Sequence, residues 1–204
     1  MDLLTGCWAA VTSAVTGLDE AAFGRRTRTA EWDVRELLFH QLLDAQRALV
    51  ALASPAAGPA DVDAVTYWAS FHPDRGDGGT AHARFVKRAA AAYDGATGLV
   101  DQWSSTSAAA ARAAAAADPG ALVTTQGHVL TVADLVSTLV VEATVHLLDL
   151  DIGATPPPGA LAHTRSVLEA SYGGPLPAAW DDVEAVLRGT GRLPSDDPRL
   201  PVLG

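Results

Sequence analysis

The chain has 204 residues, 49% apolar and 19% charged, enough to build one domain around a substantial core and too apolar for disorder. Its net charge of −10 and pI near 4.8 argue against nucleic acid and acidic membrane surfaces as partners. The single cysteine, Cys7, excludes an internal disulfide framework and a cysteine-rich zinc site. No charge-free apolar run is long enough to span a membrane, and the first residues lack the basic region of a secretion signal, so the expectation is a cytoplasmic protein.

Residues 2–17 carry an apolar stripe, Leu3, Leu4, Trp8, Val11 and Val15, which predicts a first amphipathic helix with Cys7 packed as a structural thiol. Residues 18–30 form a polar link with Arg25, Arg26 and Arg28, read as a solvated loop with anion binding as the alternative. A second helix is predicted over 32–52, opened by the polar turn Asp33, Arg35 and Glu36 and closed by Ser54-Pro55. Its apolar face runs through Leu37 and Leu43 and turns His40 inward. Residues 53–79 are irregular, with Pro55, Pro59, Pro73, Gly76, Gly78 and Gly79, yet they hold Tyr67, Trp68, Phe71, His72 and Arg75. Long loops of this kind are often lids or binding loops; these aromatics either close over a pocket or seal one end of the core.

A third helix is predicted over 80–103, weakened by Gly95 and Gly98 and broken at 104–107. The alanine-rich run 108–117 then forms a short surface helix of its own. Asp118-Pro119-Gly120 marks a turn, and 122–130 reads as a short strand or an extended lead into the next helix. That helix, 131–151 (TVADLVSTLVVEATVHLLDLD), opens with Thr131 and Asp134 in a capping-box-like start. Pro156-Pro157-Pro158 forbids its continuation. Helices over 158–171 and 177–188 follow, and 189–204 is an extended tail wrapping the surface. The fold expected is all-α: four main helices with long connections and extra short C-terminal helices, in a single domain over residues 1–204.

One polar pair breaks the apolar 131–151 stretch. Glu142 and His146, four residues apart, project from one helical face. An ionised carboxylate among Val140, Val141, Val145, Leu147 and Leu148 is costly without a partner. A divalent metal would satisfy it and engage His146 as well; a buried Glu–His hydrogen bond or a Glu–Arg pair would be the plainer solutions. Catalytic zinc commonly takes three protein ligands and keeps a position open. His40, on the other strongly apolar helix, completes a His2Glu set if the two helices pack side by side. Asp149, three residues past His146, is the local candidate for orienting that imidazole, with a solvated or capping role as the alternative. His128 can reach the mouth of such a site, and Arg84 or Arg75 can hold a substrate carboxylate. The default for these three, and for His72, His82 and His163, is a surface or loop position.

EWDVRELLFHQL, VVEATVHLLDLD and GTGRLP together resemble the motifs of the mycothiol-dependent maleylpyruvate isomerase N-terminal domain family, within the DinB-like superfamily of metal-binding four-helix bundles. The resemblance runs from about residue 2 to the end. It implies that His40, Glu142 and His146 bind a divalent metal, most often Zn2+, and that mycothiol, a low-molecular-weight thiol, is the cosubstrate. Leu139 stands where the family often has an arginine and Ala30 where it often has a cysteine. The sterol-carrier-like second domain of the maleylpyruvate isomerases is not expected here. The resemblance implies thiol-dependent cis–trans isomerisation or S-transfer on a small electrophilic substrate. Hydrolysis or non-heme iron chemistry on the same ligands, or a non-catalytic metal- or ligand-binding bundle, are the rival readings. Substrate identity, the thiol used and a homodimeric state stay open at this level.

Overall fold

The computed structural model describes residues 2–29, 31–70 and 78–203. The expectations for Phe71, His72, Pro73, Arg75 and Gly76 lie outside the described residues. Helix α1, Leu3–Val15, is capped by the Asp2 carboxylate, which accepts from the Leu4 N–H, and buries Leu4, Cys7, Trp8, Val11 and Val15. A single turn, α2, Glu20–Phe23, interrupts the polar link. Helix α3, Val34–Leu52, begins with a capping box in which Asp33 and Glu36 each take the other's backbone N–H. Helix α4, Gly78–Ala90, and helix α5, Ala96–Ala116, come next. Strands β1, Leu122–Thr125, and β2, His128–Thr131, then lead into helix α6, Val132–Asp149. Helices α7, Pro158–Tyr172, and α8, Asp182–Gly189, complete the order.

Four of these helices make the bundle. α3 packs against α5 and α6, and α1 packs against the same two, closing a ring of four around Leu37, Leu38, Leu42, Leu99, Trp103, Leu135 and Leu139. Trp103 is wholly buried and its indole N–H donates to Thr12 Oγ1 at 2.9 Å. α4 lies on α3, α7 on α6, and α8 on α7. Cys7 is fully buried beside Thr144, and burial raises its thiol pKa to about 11, as befits packing rather than reactivity. Among the described residues no helix is long and apolar enough to cross a membrane.

Three expectations need correction. The helix break falls at 91–95, not at 104–107, and α5 runs unbroken into the alanine run. Ser105 and Ser107 return their hydroxyl protons to the carbonyls of Gln102 and Ser104, so the serines sit inside the helix rather than ending it. The α5 start is capped from another element, since Glu20 Oε1 accepts from the Ala96 N–H. Second, 122–130 holds two strands, not one. They form an antiparallel hairpin, with Gln126 and Gly127 both at positive φ as a tight two-residue turn requires. Third, the tail folds back onto α8: the N–H groups of Arg192 and Leu193 donate to the Leu187 carbonyl, and that of Val202 to Gly189. The described part of the irregular loop is pinned to the hairpin through Ala56, Asp61 and Val62, and its 3-10 turn, Thr66–Ser70, buries Tyr67.

Candidate metal centre

Helices α3 and α6 face one another, and their contact brings His40 against Glu142 and His146. One ligand atom from each lies within 4.8 Å of the other two. His146 Nε2 is 3.1 Å from Glu142 Oε2, while its Nδ1–H donates to Asp149 Oδ2 at 3.0 Å. Two imidazole nitrogens and one carboxylate oxygen form a donor set suited to a divalent transition metal. The carboxylate behind His146 supplies the outer partner that metal-ligating histidines usually have.

Asp149 is wholly buried and doubly held. Arg192, from the folded-back tail, donates through Nε at 3.2 Å to Oδ1 and through its terminal NH2 at 3.1 Å to Oδ2. A third guanidinium contact goes to the Thr190 carbonyl. A chain therefore runs from the tail to the imidazole: Arg192, Asp149, His146. Arg28 closes the same helix end, donating to the Leu148 carbonyl at 3.1 Å and pairing with Asp151. Its backbone N–H donates to the Asp149 carbonyl. Arg28 stays in an exposed loop, as expected, and also supplies donors to carbonyls that the C-terminal end of α6 leaves open. The capping role weighed for Asp149 gives way to orientation of His146.

The electrostatics divide the two histidines. Burial, with the His146 charge beside it, pushes the His40 imidazole down to about 3. Burial would lower His146 too, but hydrogen bonds to Asp149 and Glu142 overcome it and push that imidazole up to about 9. Burial opposes ionisation of Glu142, yet the hydrogen bond and charge of His146 hold its carboxyl well below the usual range. Without a metal, the pair is a carboxylate and an imidazolium, and His40 is neutral.

Several further residues surround the centre that the sequence does not assign to it. His82, expected on the surface, is exposed on α4, yet its Nε2 lies 3.2 Å from His40 Nδ1. Trp32 stacks over His40 with ring centroids 4.7 Å apart. Asp44, one turn past His40, is held by Arg47, with Oδ1 3.3 Å from Nε; Arg47 NH1 donates to the Tyr67 hydroxyl at 3.0 Å, and that hydroxyl donates to Gln126. The i+4 spacing of Asp44 from His40 was the available sequence signal. Arg47 shares α3 with Asp44 and Trp32 precedes its cap, while His82, Tyr67 and Gln126 come from other elements. Two buried polar atoms beside the triad have no hydrogen-bond partner among the described residues, the acceptor Asp44 Oδ2 and the donor Trp32 Nε1.

The secondary candidates stand apart. His128 sits on β2 with Nδ1 3.7 Å from Asp61, and Arg84 is exposed on α4. His163 is half-buried on α7, its Nε2 2.8 Å from the Ser137 hydroxyl. None of the three belongs to the cluster of His40, Glu142 and His146.

A family model described as "Mycothiol maleylpyruvate isomerase N-terminal domain" matches residues 4–151. The match spans α1 through α6 and includes all three triad residues, while Arg192 lies beyond it. No curated protein and no solved structure matches the chain.

Proposed function

Because the chain belongs to the mycothiol maleylpyruvate isomerase N-terminal domain family, we propose that it is a metal-dependent enzyme using a low-molecular-weight thiol, mycothiol, as cosubstrate. The reaction is cis–trans isomerisation of a small electrophilic alkene or transfer of the sulfur to a small electrophile. The observation that carries this reading is the convergence of His40, Glu142 and His146 from two facing helices, with Asp149 behind His146. Zn2+ suits two nitrogens and one carboxylate oxygen, and such a metal keeps a coordinating thiol deprotonated at neutral pH.

The chain's own residues have separable tasks in this account. His40, Glu142 and His146 bind the metal. Asp149 fixes the proton of His146 on Nδ1, leaving Nε2 toward Glu142. Glu142 keeps 26% of its side chain exposed and Asp149 none, so ligands approach from the Glu142 side. The single cysteine, Cys7, is buried against Thr144 in the core and supplies no thiol there.

A direct test incubates zinc-loaded protein with a small cis-alkene conjugated to a carbonyl, with and without mycothiol, and follows isomer and thioether by NMR. Product should require both zinc and thiol. Equal turnover without thiol would overturn the thiol's role, and hydrolysis in its place would move the centre to metal-activated water.

A further inference from the structure

Asp44 is the acceptor beside the triad that is left without a full set of donors among the described residues. Its Oδ1 is 3.3 Å from both Nε and the terminal NH2 of Arg47. Oδ2 is buried, has no hydrogen-bond partner among the described residues, and lies 3.9 Å from His40 Nε2. A buried carboxylate oxygen left without a donor is costly and rare. Arg47 cannot turn to it freely, because NH1 is engaged by Tyr67, whose hydroxyl is in turn tied to Gln126 on the hairpin. The neighbouring Glu142 is another carboxylate and offers Oδ2 no donor. Among the described residues nothing supplies that donor, which leaves the place to a molecule that enters the centre.

We propose that Asp44 is a specificity-determining residue: its free Oδ2 accepts a hydrogen bond from an N–H or O–H carried by the molecule that binds the metal, close to its metal-binding atom. This inference rests on the metal reading of His40, Glu142 and His146. On the thiol reading, the cosubstrate carries an amide N–H or hydroxyl a few bonds from its sulfur. A carboxylate in that position is disfavoured, because Asp44 and Glu142 already place two acids there.

The test uses the cobalt(II)-loaded chain, with binding read from its visible spectrum. One probe pair is 2-mercaptoethanol and 2-methoxyethanethiol, which share the sulfur and differ in the donor. A second pair, 4-(hydroxymethyl)imidazole and 4-(methoxymethyl)imidazole, contains no thiol. Within each pair the hydroxyl compound should bind about 10- to 100-fold tighter, the span of a hydrogen bond to a charged acceptor. In Asp44→Asn that preference should shrink to roughly three- to tenfold, since a neutral acceptor is about half as strong.

Equal affinities within both pairs in the parent overturn the proposal, and that comparison needs no variant. A preference unchanged in Asp44→Asn also overturns it. Loss of cobalt from a folded Asp44→Asn would make Asp44 part of the metal's own binding set, against the proposal. Probes that leave the cobalt spectrum untouched would mean there is no open position, and the idea fails. If the thiols fail to bind but the imidazoles show the preference, the thiol chemistry falls while the role of Asp44 stands.

Discussion

Replacing His146 with alanine should weaken zinc binding by more than about 100-fold, beyond the usual cost of losing an outer-shell partner. His146 is the joint of the site: Nε2 faces Glu142 at 3.1 Å and Nδ1 faces Asp149 at 3.0 Å. Its loss leaves two ligand side chains and removes the partner that holds Glu142 ionised. Asp149→Asn should be milder, about 10- to 100-fold, because the ligand stays but its orienting carboxylate is gone. Competition against a chromophoric chelator measures both, with circular dichroism to show that the helices persist. Parent-like affinity in both variants would mean that the metal, if bound, is held elsewhere.

Zinc affinity should rise about tenfold per pH unit between roughly pH 6 and 8, because one ligand must shed a proton to bind. His146 supplies that proton. Its imidazole is pushed up to about 9 in the metal-free chain, so it is charged at neutral pH and must become neutral to ligate. His40, pushed down to about 3, is already neutral, and Glu142 is already ionised. The sign follows: protons compete below the His146 pKa, affinity climbs as pH rises, and the slope flattens above about 9. Calorimetry in buffers of different ionisation enthalpy should therefore find about one proton released per zinc at pH 7. Two protons would place the charge on His40 as well, and none would show that His146 is already neutral in the metal-free chain or does not ligate.

The heart of the site was legible because its signals are local or compositional. Glu142 and His146 stand out as polar residues four apart in an apolar helix, and His40 as an imidazole on the inward face of the other. That α3 and α6 pack together is a tertiary fact, which the motif resemblance anticipated but helical periodicity alone does not supply. The start of α6 is equally readable, with Thr131 and Asp134 acting where their spacing places them, whereas Asp33 and Glu36, which read only as a polar turn, form a full capping box. The break between α4 and α5 is hidden from the sequence because the average preference of serine for turns points to 104–107 instead. In α5 the serine hydroxyls bond within the helix, and the true start is capped by Glu20 from far along the chain.

The supports of the centre were the least visible. Arg192 reaches Asp149 across 43 positions, and Arg28 reaches the end of α6 across 120. Nothing local marks either arginine as different from a solvated one. Such long-range donors become apparent only once burial has stripped water from the carboxylate or carbonyl that needs them. Asp44 is hidden for the opposite reason, since an acid in a helix reads as a solvated position until its surroundings are known.

Metal analysis of the protein purified without added metal, beside His40→Ala and Glu142→Ala prepared identically, tests the central claim most directly. The account predicts about one divalent ion per parent chain and little in either variant. A folded parent that carries no metal, and takes up none when zinc is offered, would contradict it and leave Glu142 and His146 as a buried ion pair in a binding bundle.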